Sequence, residues 1–405
     1  MKGTTTILSR ASTIRPAPAS HQDLKISNPV RVLHVYKSWT PAGYGGVEQV
    51  MTALSDGGRD YGIESRVLYL AGGPRIKRVR HEGIAAYCFP LTATVASTGL
   101  SLSMLWHYRR LVHWADVLHF HFPWPFGDLV HLLSGVKKPV VVSYHLDVTR
   151  QRILKLLYAP IMHRFLRQAA VIVATSDNYV RTSPVLQKLT HKVRVIPLGV
   201  EDTGSRQTVP IRMAHWRDRV GEGFVLFVGV LRYYKGLHVL LDAAHTIRGR
   251  VVIVGSGPCE QALKAHARRA GLSHVTFLGA VDPVDKDALY RLCGLFVFPS
   301  HLRSEGFGLA LVEAAMHGKA LVSCEIGTGT SFINVHQETG LVVEPGNPGA
   351  LSAAVNRLLA DRQEREAFGR RARQRYLERF TAQSMTEAYA RTYRSLVQEE
   401  VQCRR

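Results

Sequence analysis

The chain has 405 residues, of which 46% are hydrophobic and 20% are charged, so it can build folded cores and is not a wholly disordered protein. No apolar run approaches the length of a transmembrane helix, and five scattered cysteines without a C-x-x-C pair support neither a disulfide framework nor a zinc cage. The net charge is +21, and residues 1–200 carry most of it, with 25 Lys and Arg against 10 Asp and Glu. Such a basic half can face nucleic acid, anionic lipid or a phosphorylated ligand.

Residues 1–27 contain Ser, Thr, Pro and Arg but no apolar core segment. They are therefore predicted to be a disordered extension and not a secretory signal, with an organellar transit peptide as the alternative. The cysteine pattern favours a reducing compartment.

Short β-branched runs that alternate with helical patterns predict a first domain over residues 28–200. The predicted strands are Val30–Tyr36, Ser65–Tyr69, Val117–Phe120, Val140–Tyr144, Val171–Ala174 and Val193–Ile196. Helical patterns begin at Val47 and cover Leu102–His113 and Ile153–Arg167. Strand alternating with helix is typical of a parallel sheet covered on both faces.

A polar linker is predicted over residues 201–222, and a second strand–helix series predicts another domain over residues 223–375. Its predicted strands are Phe224–Val228, Val251–Val254, Val275–Phe277, Leu295–Phe298, Ala320–Ser323 and Gly340–Val343. Residues 376–405 are predicted as a C-terminal helix able to pack back on the first domain. The predicted fold class is α/β, with two Rossmann-like doubly wound domains that face a cleft at the carboxyl ends of their strands.

The segment Phe298–Glu313 (FPSHLRSEGFGLALVE) carries the most information. A strand ends, Glu305 stands in a loop, and a helix begins near Leu309, whose free N–H groups favour an anion. Glycines on both sides of Phe307 allow close backbone approach to a ligand. We predict a phosphate site flanked by the carboxylates of Glu305 and Glu313, which suit sugar hydroxyls. The alternative is a capped helix start with a solvated acid.

Arg232 and Lys235 stand in a loop after the strand of Phe227–Gly236 (FVGVLRYYKG). Two cations there could grip a pyrophosphate, Arg as a fork and Lys as a point charge. An ordinary basic loop is the alternative.

The first strand–helix turn, Gly43–Glu48, could bring backbone N–H groups to a phosphate. It is not G-x-G-x-x-G, and no acidic residue ends a following strand, so a nicotinamide cofactor is weakly supported. A plain helix-entry turn is the alternative. Gly255–Pro258 is a lone motif of the same kind.

Histidines follow two strands of the first half. His119 and His121 alternate on one strand with no third ligand near in sequence, which argues against a metal. His145, at the carboxyl end of another strand with Asp147 beyond it, is the better candidate for a polar functional residue in a cleft. Asp285 and Asp287 match a D-x-D cation pattern, but they open a helix, where the dipole favours acids. No metal site is predicted.

These residues together resemble glycosyltransferase family 4. The likeness covers residues 30–375 and rests mainly on Glu305-Gly-Phe-Gly-x4-Glu313, supported by the Gly229–Gly236 loop and the Gly45-Gly46 turn. It implies a retaining enzyme of the GT-B architecture, with the nucleotide-sugar donor bound in the cleft mainly by the second domain.

The resemblance also implies roles for individual residues. In the second domain, Glu305 would bind the hexose, Glu313 the ribose and Lys235 the diphosphate, and Val281 would lie near the base. The sugar and phosphate would also be bound by the backbone of four consecutive residues: Gly306, Phe307, Gly308 and Leu309. From the first domain, Gly45 and Gly46 would approach the phosphates, and His145 would contact the sugar near its anomeric centre.

One departure from the family pattern concerns the diphosphate. Many members carry Arg directly after the glycine that corresponds to Gly229, where this chain has Val230. We expect Arg232 to serve instead, and we count it with His145, Lys235 and Glu305 as catalytic.

Several stretches are similar to bacterial mannosyl- and rhamnosyltransferases of O-polysaccharide synthesis: Arg31–Lys37, Gly229–Gly236, Gly327–Phe332 and Glu338–Val342. This similarity implies a GDP-linked hexose donor, a glycan or lipid-diphosphate-linked acceptor, and a cytoplasmic enzyme peripheral to the inner face of the membrane.

The expected mechanism is front-face: cations and a helix N-terminus stabilise the leaving diphosphate, whose oxygen accepts the acceptor's proton. No cofactor or metal is expected beside the nucleotide-sugar co-substrate. An anionic membrane is expected to meet Ser101–Trp114 and Gln151–Arg167, unless their apolar faces are core. The alternatives are a nucleotide-sugar-binding or epimerase-like GT-B protein and a basic nucleic-acid-binding protein. No nucleic-acid motif is present, so nucleic acid is not the expected partner.

Overall fold

The computed structural model describes residues 28–39, 45–81, 83–95, 98–148, 152–205 and 209–403, with the side chains of residues 152–155 left out. The predicted extension 1–27 lies outside these residues, as does the Gly43-Tyr44 part of the first turn.

The first sheet has eight strands in the order β10-β9-β8-β7-β1-β2-β4-β3. Their bounds are β1 Val30–Val35, β2 Ile63–Ala71, β3 Lys77–His81, β4 Ile84–Pro90, β7 Val117–Phe122, β8 Val140–Tyr144, β9 Val171–Ala174 and β10 Val193–Val195. Two further strands, β5 Ala93–Val95 and β6 Thr98–Leu100, pair with each other. The central strands are buried on both faces, which explains their unbroken apolar runs.

The second sheet has six parallel strands in the order β13-β12-β11-β14-β15-β16. Their bounds are β11 Val225–Val228, β12 Val251–Val254, β13 Val275–Gly279, β14 Leu295–Phe298, β15 Ala320–Cys324 and β16 Gly340–Val343. In both sheets the chain order reverses beside the first strand, and such switch points are where doubly wound sheets bind ligands.

Helices cover the sheets and connect the strands. They are α1 Gly46–Gly57, α2 Leu102–Val112, α3 Pro125–Ser134, α4 Arg152–Gln168, α5 Asp177–Thr182, α6 Pro210–Val220, α7 Leu237–Ala244, α8 Glu260–Arg269, α9 Pro283–Leu292, α10 Leu309–Met316, α11 Thr330–Ile333, α12 Pro348–Ala360, α13 Arg362–Arg379 and α14 Ala382–Cys403. Within the described residues, no helix combines the length and apolar character needed to span a membrane.

Three features differ from the predicted elements. The strands β3, β4, β5 and β6 were not predicted, and β3 pairs antiparallel with β4, so the first sheet is not wholly parallel. The predicted linker contains α6, whose Trp216 is buried and donates its indole N–H to Asp285 on α9 (2.9 Å). The helix α4 contains Pro160, a residue that usually breaks or kinks a helix, and extends on both sides of it.

The last helix, α14, returns to the first sheet. The chain crosses at Val200 and Thr381, which form a bridge, and α14 then packs on α1 and β1. Its Tyr389 and Tyr393 hydrogen-bond to Ser143 (2.6 Å) and His119 (2.7 Å) in the interior of the first half. The C-terminal segment therefore ties the second half of the chain to the core of the first.

Candidate functional site

The Glu305 loop and His145 meet where the two sheets face each other. His145 follows β8 directly, and the loop follows β14, so both stand at carboxyl ends of parallel strands. A Cβ on Gly306 would lie only 2.0 Å from the carbonyl oxygen of His145. Only glycine allows this approach, which brings the Glu305 loop against the first half of the molecule.

Lys235 and Glu305 form an ion pair in this cleft, although they lie 70 residues apart in sequence. Their side chains are only 12% and 10% exposed. Ser300 also donates to the same Glu305 carboxylate oxygen (3.3 Å). A buried pair of this kind is poised for a ligand, because an incoming phosphate can take the ammonium and a sugar hydroxyl the carboxylate.

The start of α10 lies beside this pair. Gly308 has φ +100°, a left-handed conformation, and as the N-cap residue it has no side chain to cap the N–H groups of the helix start. Across the cleft, a Cβ on Gly46 would touch Leu309 at 3.1 Å, so the start of α1 faces the start of α10. Two helix N-termini therefore converge, and both favour an anion. The side chain of Phe307 is buried against Phe380, so only the backbone of Phe307 can contact a ligand in the site.

Arg232, three residues before Lys235, is exposed, in contrast to Lys235. Burial lowers the pKa of Lys37, which lies just beyond β1; the charge of Glu48 opposes this lowering, and the positive charge of Arg232 adds to it. The charges of Arg232 and Lys37 therefore repel each other, and a dianionic ligand would relieve this repulsion. The sequence analysis did not assign Lys37 to the site.

Glu313 lies on α10 in a cleft of about 990 Å³ between α1, α9, α10 and the start of α14. Its carboxylate accepts from Lys286 (2.7 Å) and from the Tyr290 hydroxyl (2.9 Å). Two fixed donors hold the carboxylate in one orientation. Val281, predicted near the base, is half-buried after β13. The motif Gly255–Pro258 packs its glycines on the backbone of Gly229 and Leu231, so close chain packing explains them.

His145 is joined to other buried histidines. His34 is in register with His119 on neighbouring strands, and His121 lies opposite Ser143. Hydrogen bonds join His34 Nδ1 to His121 Nε2 (3.2 Å) and His121 Nδ1 to His145 Nε2 (3.1 Å). The rings of His121 and His145 are stacked, with centroids 5.4 Å apart. His34 was missed because its partners lie more than 80 residues away in sequence.

Burial keeps these imidazoles neutral. It lowers the pKa of His34 to about 3 and that of His145 to about 4, and it holds the pKa values of His119 and His121 well below their ordinary range. Neutral imidazoles can donate or accept hydrogen bonds and can also bind metals. The nitrogens of His34, His119 and His121 lie within 4.8 Å of one another, so strand pairing brings to His119 and His121 a third imidazole that is not near them in sequence. Within the described residues, both nitrogens of His119 and of His121 already have hydrogen-bond partners.

The D-x-D acids have separate partners. Asp285 accepts from Trp216 and pairs with Arg212 (3.3 Å), whereas Asp287 pairs with Arg291 (2.7 Å) and contacts His317 (3.1 Å). The cap of α9 is Asp282, which accepts from the N–H of Asp285. Both acids therefore have partners within the protein, but the side chain that caps α9 belongs to Asp282 and not to Asp285 or Asp287, which the sequence predicted at the helix start.

Arg303 is a second residue that the sequence did not reveal. From the Glu305 loop it reaches Asp147 (3.1 Å), Thr182 (2.9 Å) and the carbonyl of Gly327 (2.9 Å). Asn178 and Ser331 add another bond between the halves (2.9 Å). These contacts hold the Glu305 loop against Asp147, which lies two residues after His145.

Comparison with known families matches both halves of the chain. The model described as "Glycosyltransferase Family 4" matches residues 44–203, and the model described as "Glycosyl transferases group 1" matches residues 213–375.

Similar proteins extend over nearly the whole chain. D-rhamnosyltransferase WbpZ of Pseudomonas aeruginosa is 49% identical over 87% of this chain and 93% of its own length. O-antigen chain mannosyltransferase C of Escherichia coli is 43% identical over 92% of this chain and 100% of its own length. The crystal structure of Anabaena HepE in complex with UDP superposes with a TM-score of 0.72 at 21% identity, covering 90% of this chain and all of that one. The GT-B fold predicted from the sequence is confirmed.

Proposed function

The chain belongs to glycosyltransferase family 4 and is a hexosyltransferase, and from that premise we propose that it moves a mannose- or rhamnose-type hexosyl group from a GDP-linked donor, with retention, in the synthesis of a bacterial surface polysaccharide. The names of the two similar enzymes support the sugar type. The acceptor we propose is a glycan carried on a lipid diphosphate.

The observation that carries this function is the Lys235–Glu305 pair at the start of α10, set against His145 across the cleft. The ammonium of Lys235 and the N–H groups of α10 bind the diphosphate, and Arg232 also approaches it. The carboxylate of Glu305 then turns to the hexose hydroxyls. Glu313, already held by Lys286 and Tyr290, accepts from the ribose, with Val281 near the base.

Catalysis in this proposal is electrostatic. Negative charge develops on the leaving diphosphate and is stabilised by donors that are fixed before the reaction. The bond from the anomeric carbon to the phosphate oxygen breaks as the acceptor hydroxyl bonds on the same face, and that phosphate oxygen takes the hydroxyl proton. Because cations and helix termini supply the stabilisation, we propose that no metal is needed and that transfer continues in EDTA.

A thermal-shift panel followed by a transfer assay tests the function. We expect GDP to raise the melting temperature more than UDP, ADP or dTDP, because binding to the folded state alone stabilises it. GDP-mannose or GDP-rhamnose should then label a lipid-linked acceptor. Release of free sugar without transfer, or stabilisation by nucleic acid alone, would favour one of the other two functions.

We also propose that the enzyme docks on an anionic membrane through α2, α3 and α4, which pack in that order. The α2 helix buries Met104, Tyr108 and Val112 but leaves Trp106 84% exposed. Other exposed apolar residues lie on α2 itself and on α3 and α4: Leu102, Leu105, Leu133, Leu156 and Leu157. Exposed Arg109, Arg110 and Arg164 lie on the same helices, which suits anionic headgroups.

Part of the predicted membrane stripe belongs to the core instead. Phe165 is buried, Ile161 is half-buried, and Trp114 is covered by the Arg66 guanidinium at 3.8 Å. The side chains of Arg152, Leu154 and Lys155 lie outside the described residues. The proposed contact therefore rests mainly on Trp106 and its apolar neighbours.

Vesicle flotation tests the docking. We expect binding to phosphatidylglycerol vesicles, little binding to phosphatidylcholine vesicles, and release at about 0.5 M NaCl, because salt screens surface charge. Trp106→Ala should weaken binding several-fold, whereas Leu377→Ala, an exposed apolar change on α13, should not. Equal flotation on both vesicle types, or none on either, would contradict the proposal and leave the transferase function standing.

A further inference from the structure

The residues His34, His121 and His145 form one hydrogen-bonded row, here called the histidine chain. It begins at His34 in the interior of the first sheet and ends at His145 beside the Glu305 loop. His34 and His121 are fully buried, and neither has a role in the proposed chemistry. A row of buried polar groups that ends at a candidate sugar-binding residue calls for a functional account.

Because the imidazoles are neutral, the hydrogen bonds of the histidine chain must all point in the same direction. Each neutral imidazole has one N–H and one bare nitrogen, so His121 must donate to one neighbour and accept from the other. Only two arrangements satisfy both hydrogen bonds. Either protons point from His34 towards His145, which leaves the His145 proton on Nδ1, or they point the opposite way, which places it on Nε2.

The inner end of the chain distinguishes these arrangements. His34 Nε2 is buried and has no hydrogen-bond partner among the described residues. In the outward arrangement this atom is a bare acceptor, whereas in the inward one it is an N–H donor without an acceptor. Buried N–H groups without an acceptor are the rarer case in proteins, so the outward arrangement is favoured.

We infer that His34 and His121 are positioning residues that hold the proton of His145 on Nδ1, so that His145 meets the transferred sugar as a neutral N–H donor and not as a base. With Nε2 occupied by His121, Nδ1 is the ring nitrogen left for a ligand. This inference rests on the proposed place of His145 at the hexosyl group.

A neighbouring hydrogen-bond network keeps His119 separate from the histidine chain. His119 is held by Tyr393 at Nδ1 (2.7 Å) and by Ser143 at Nε2 (2.7 Å), and Ser143 contacts Tyr389 (2.6 Å). His119 therefore does not compete for His121. A metal bound by His34, His119 and His121 would have to break these bonds, so metal binding is the alternative that the experiment must address.

The direct test is nitrogen-15 NMR of the histidine-labelled full chain, which reports the protonated nitrogen of a neutral imidazole. The His145 signal is assigned by its loss in His145→Ala. We expect the Nδ1–H form in the wild type and a shift towards Nε2–H in His121→Leu. An Nε2–H form in the wild type, or no change in His121→Leu, would overturn the inference.

Asn and Leu at position 121 form a matched pair, since they have similar shape but only Asn can donate to His145. We expect His121→Leu to lower kcat about 10-fold or more with a donor KM within about 3-fold, and His121→Asn to restore most of the loss. Equal kcat in the two variants would assign His121 a packing role only. His131→Leu replaces another buried histidine, bonded to Tyr108 (3.0 Å), and should change stability without changing kcat.

Two outcomes separate this inference from its premise. If His145→Ala transfers sugar as fast as the wild type, His145 is not at the sugar and the inference fails, while GDP binding still reports on the proposed function. If Zn²⁺ raises the melting temperature of the wild type but not of His34→Leu, the buried histidines form a metal site. The histidine chain then does not hold the proton of His145, and the inference fails.

Discussion

The two halves of the site hold their polar groups in opposite ways. The second half uses charge: Lys235 faces Glu305, and Lys286 faces Glu313, on loops and two helices that follow strands of the second sheet. The first half uses neutral rings, because His34, His121 and His145 are buried and unprotonated near neutral pH. This division suits a substrate with a charged diphosphate at one end and an uncharged sugar at the other.

Glu305→Ala should have the largest effect. It removes the group proposed to orient the hexose and leaves Lys235 buried without its carboxylate, so we expect transfer to fall by about 10²-fold or more. Steady-state transfer on the folded variant measures this. Glu344→Ala, a change of an acid outside the cleft, is the control. Turnover near the wild-type rate in Glu305→Ala would remove Glu305 from the site.

The charged half was largely predictable from the sequence, and the neutral half was not. Glu305, Gly306, Gly308 and Glu313 lie within nine residues, where a strand–loop–helix pattern shows their local geometry. His34, His121 and His145 come together only through the pairing of β1, β7 and β8. Strand order is set by packing across the whole domain, which no local pattern reports.

Other differences have similar causes. Arg303 reaches the site through its contact with Asp147 between the halves, which local spacing does not specify. The strand β3 was missed because its sequence, KRVRH, is charged and mostly exposed at the sheet edge. Strands buried on both faces, such as β8 and β14, were predicted with their observed bounds because an apolar run is their signature.

Lys235→Ala should weaken GDP binding by about 1.5–3 kcal/mol, the scale of a charge-assisted contact. The change also leaves Glu305 buried without its cation, which adds repulsion towards a phosphate. Isothermal titration calorimetry measures the affinity, with Lys264→Ala on the surface of α8 as control. Unchanged affinity would contradict the proposed role of Lys235.

Lowering the pH should destabilise the first half, where the buried histidines are neutral. Burial lowers the pKa of His34 to about 3 and those of His131 and His145 to about 4, from an ordinary value of 6.5. Between pH 6.5 and 4 the unfolded chain therefore binds more protons than the folded chain. The free energy of unfolding should fall as pH falls through this window, by on the order of 1 kcal/mol per pH unit for each histidine.

Urea unfolding between pH 7.5 and 5 checks this slope, in the range where the chain stays reversible. His131→Leu removes one such histidine and should make the pH dependence of the free energy of unfolding shallower. Leu377→Ala, an exposed change that removes no titratable group, should leave that dependence unchanged. A free energy that rises as the pH falls would contradict the burial account.

Arg232→Ala should have the smallest effect. The guanidinium is exposed, and exposed charges are screened by solvent, so we expect a loss of less than about 1 kcal/mol in GDP affinity. Calorimetry at low and high salt measures it, and the loss should shrink at high salt. A loss as large as that of Lys235→Ala would show that Arg232 fully replaces the arginine expected at Val230.

The division between the halves is tested most directly by measuring GDP affinity and kcat for transfer in Lys235→Ala and His145→Ala side by side. We predict that Lys235→Ala loses GDP affinity, whereas His145→Ala keeps it within about 3-fold and loses kcat by about 10-fold or more, because a neutral hydrogen bond to the sugar is missing only from the reacting complex. An equal loss of GDP affinity in the two variants would contradict the account, since it would place His145 at the diphosphate and not at the sugar.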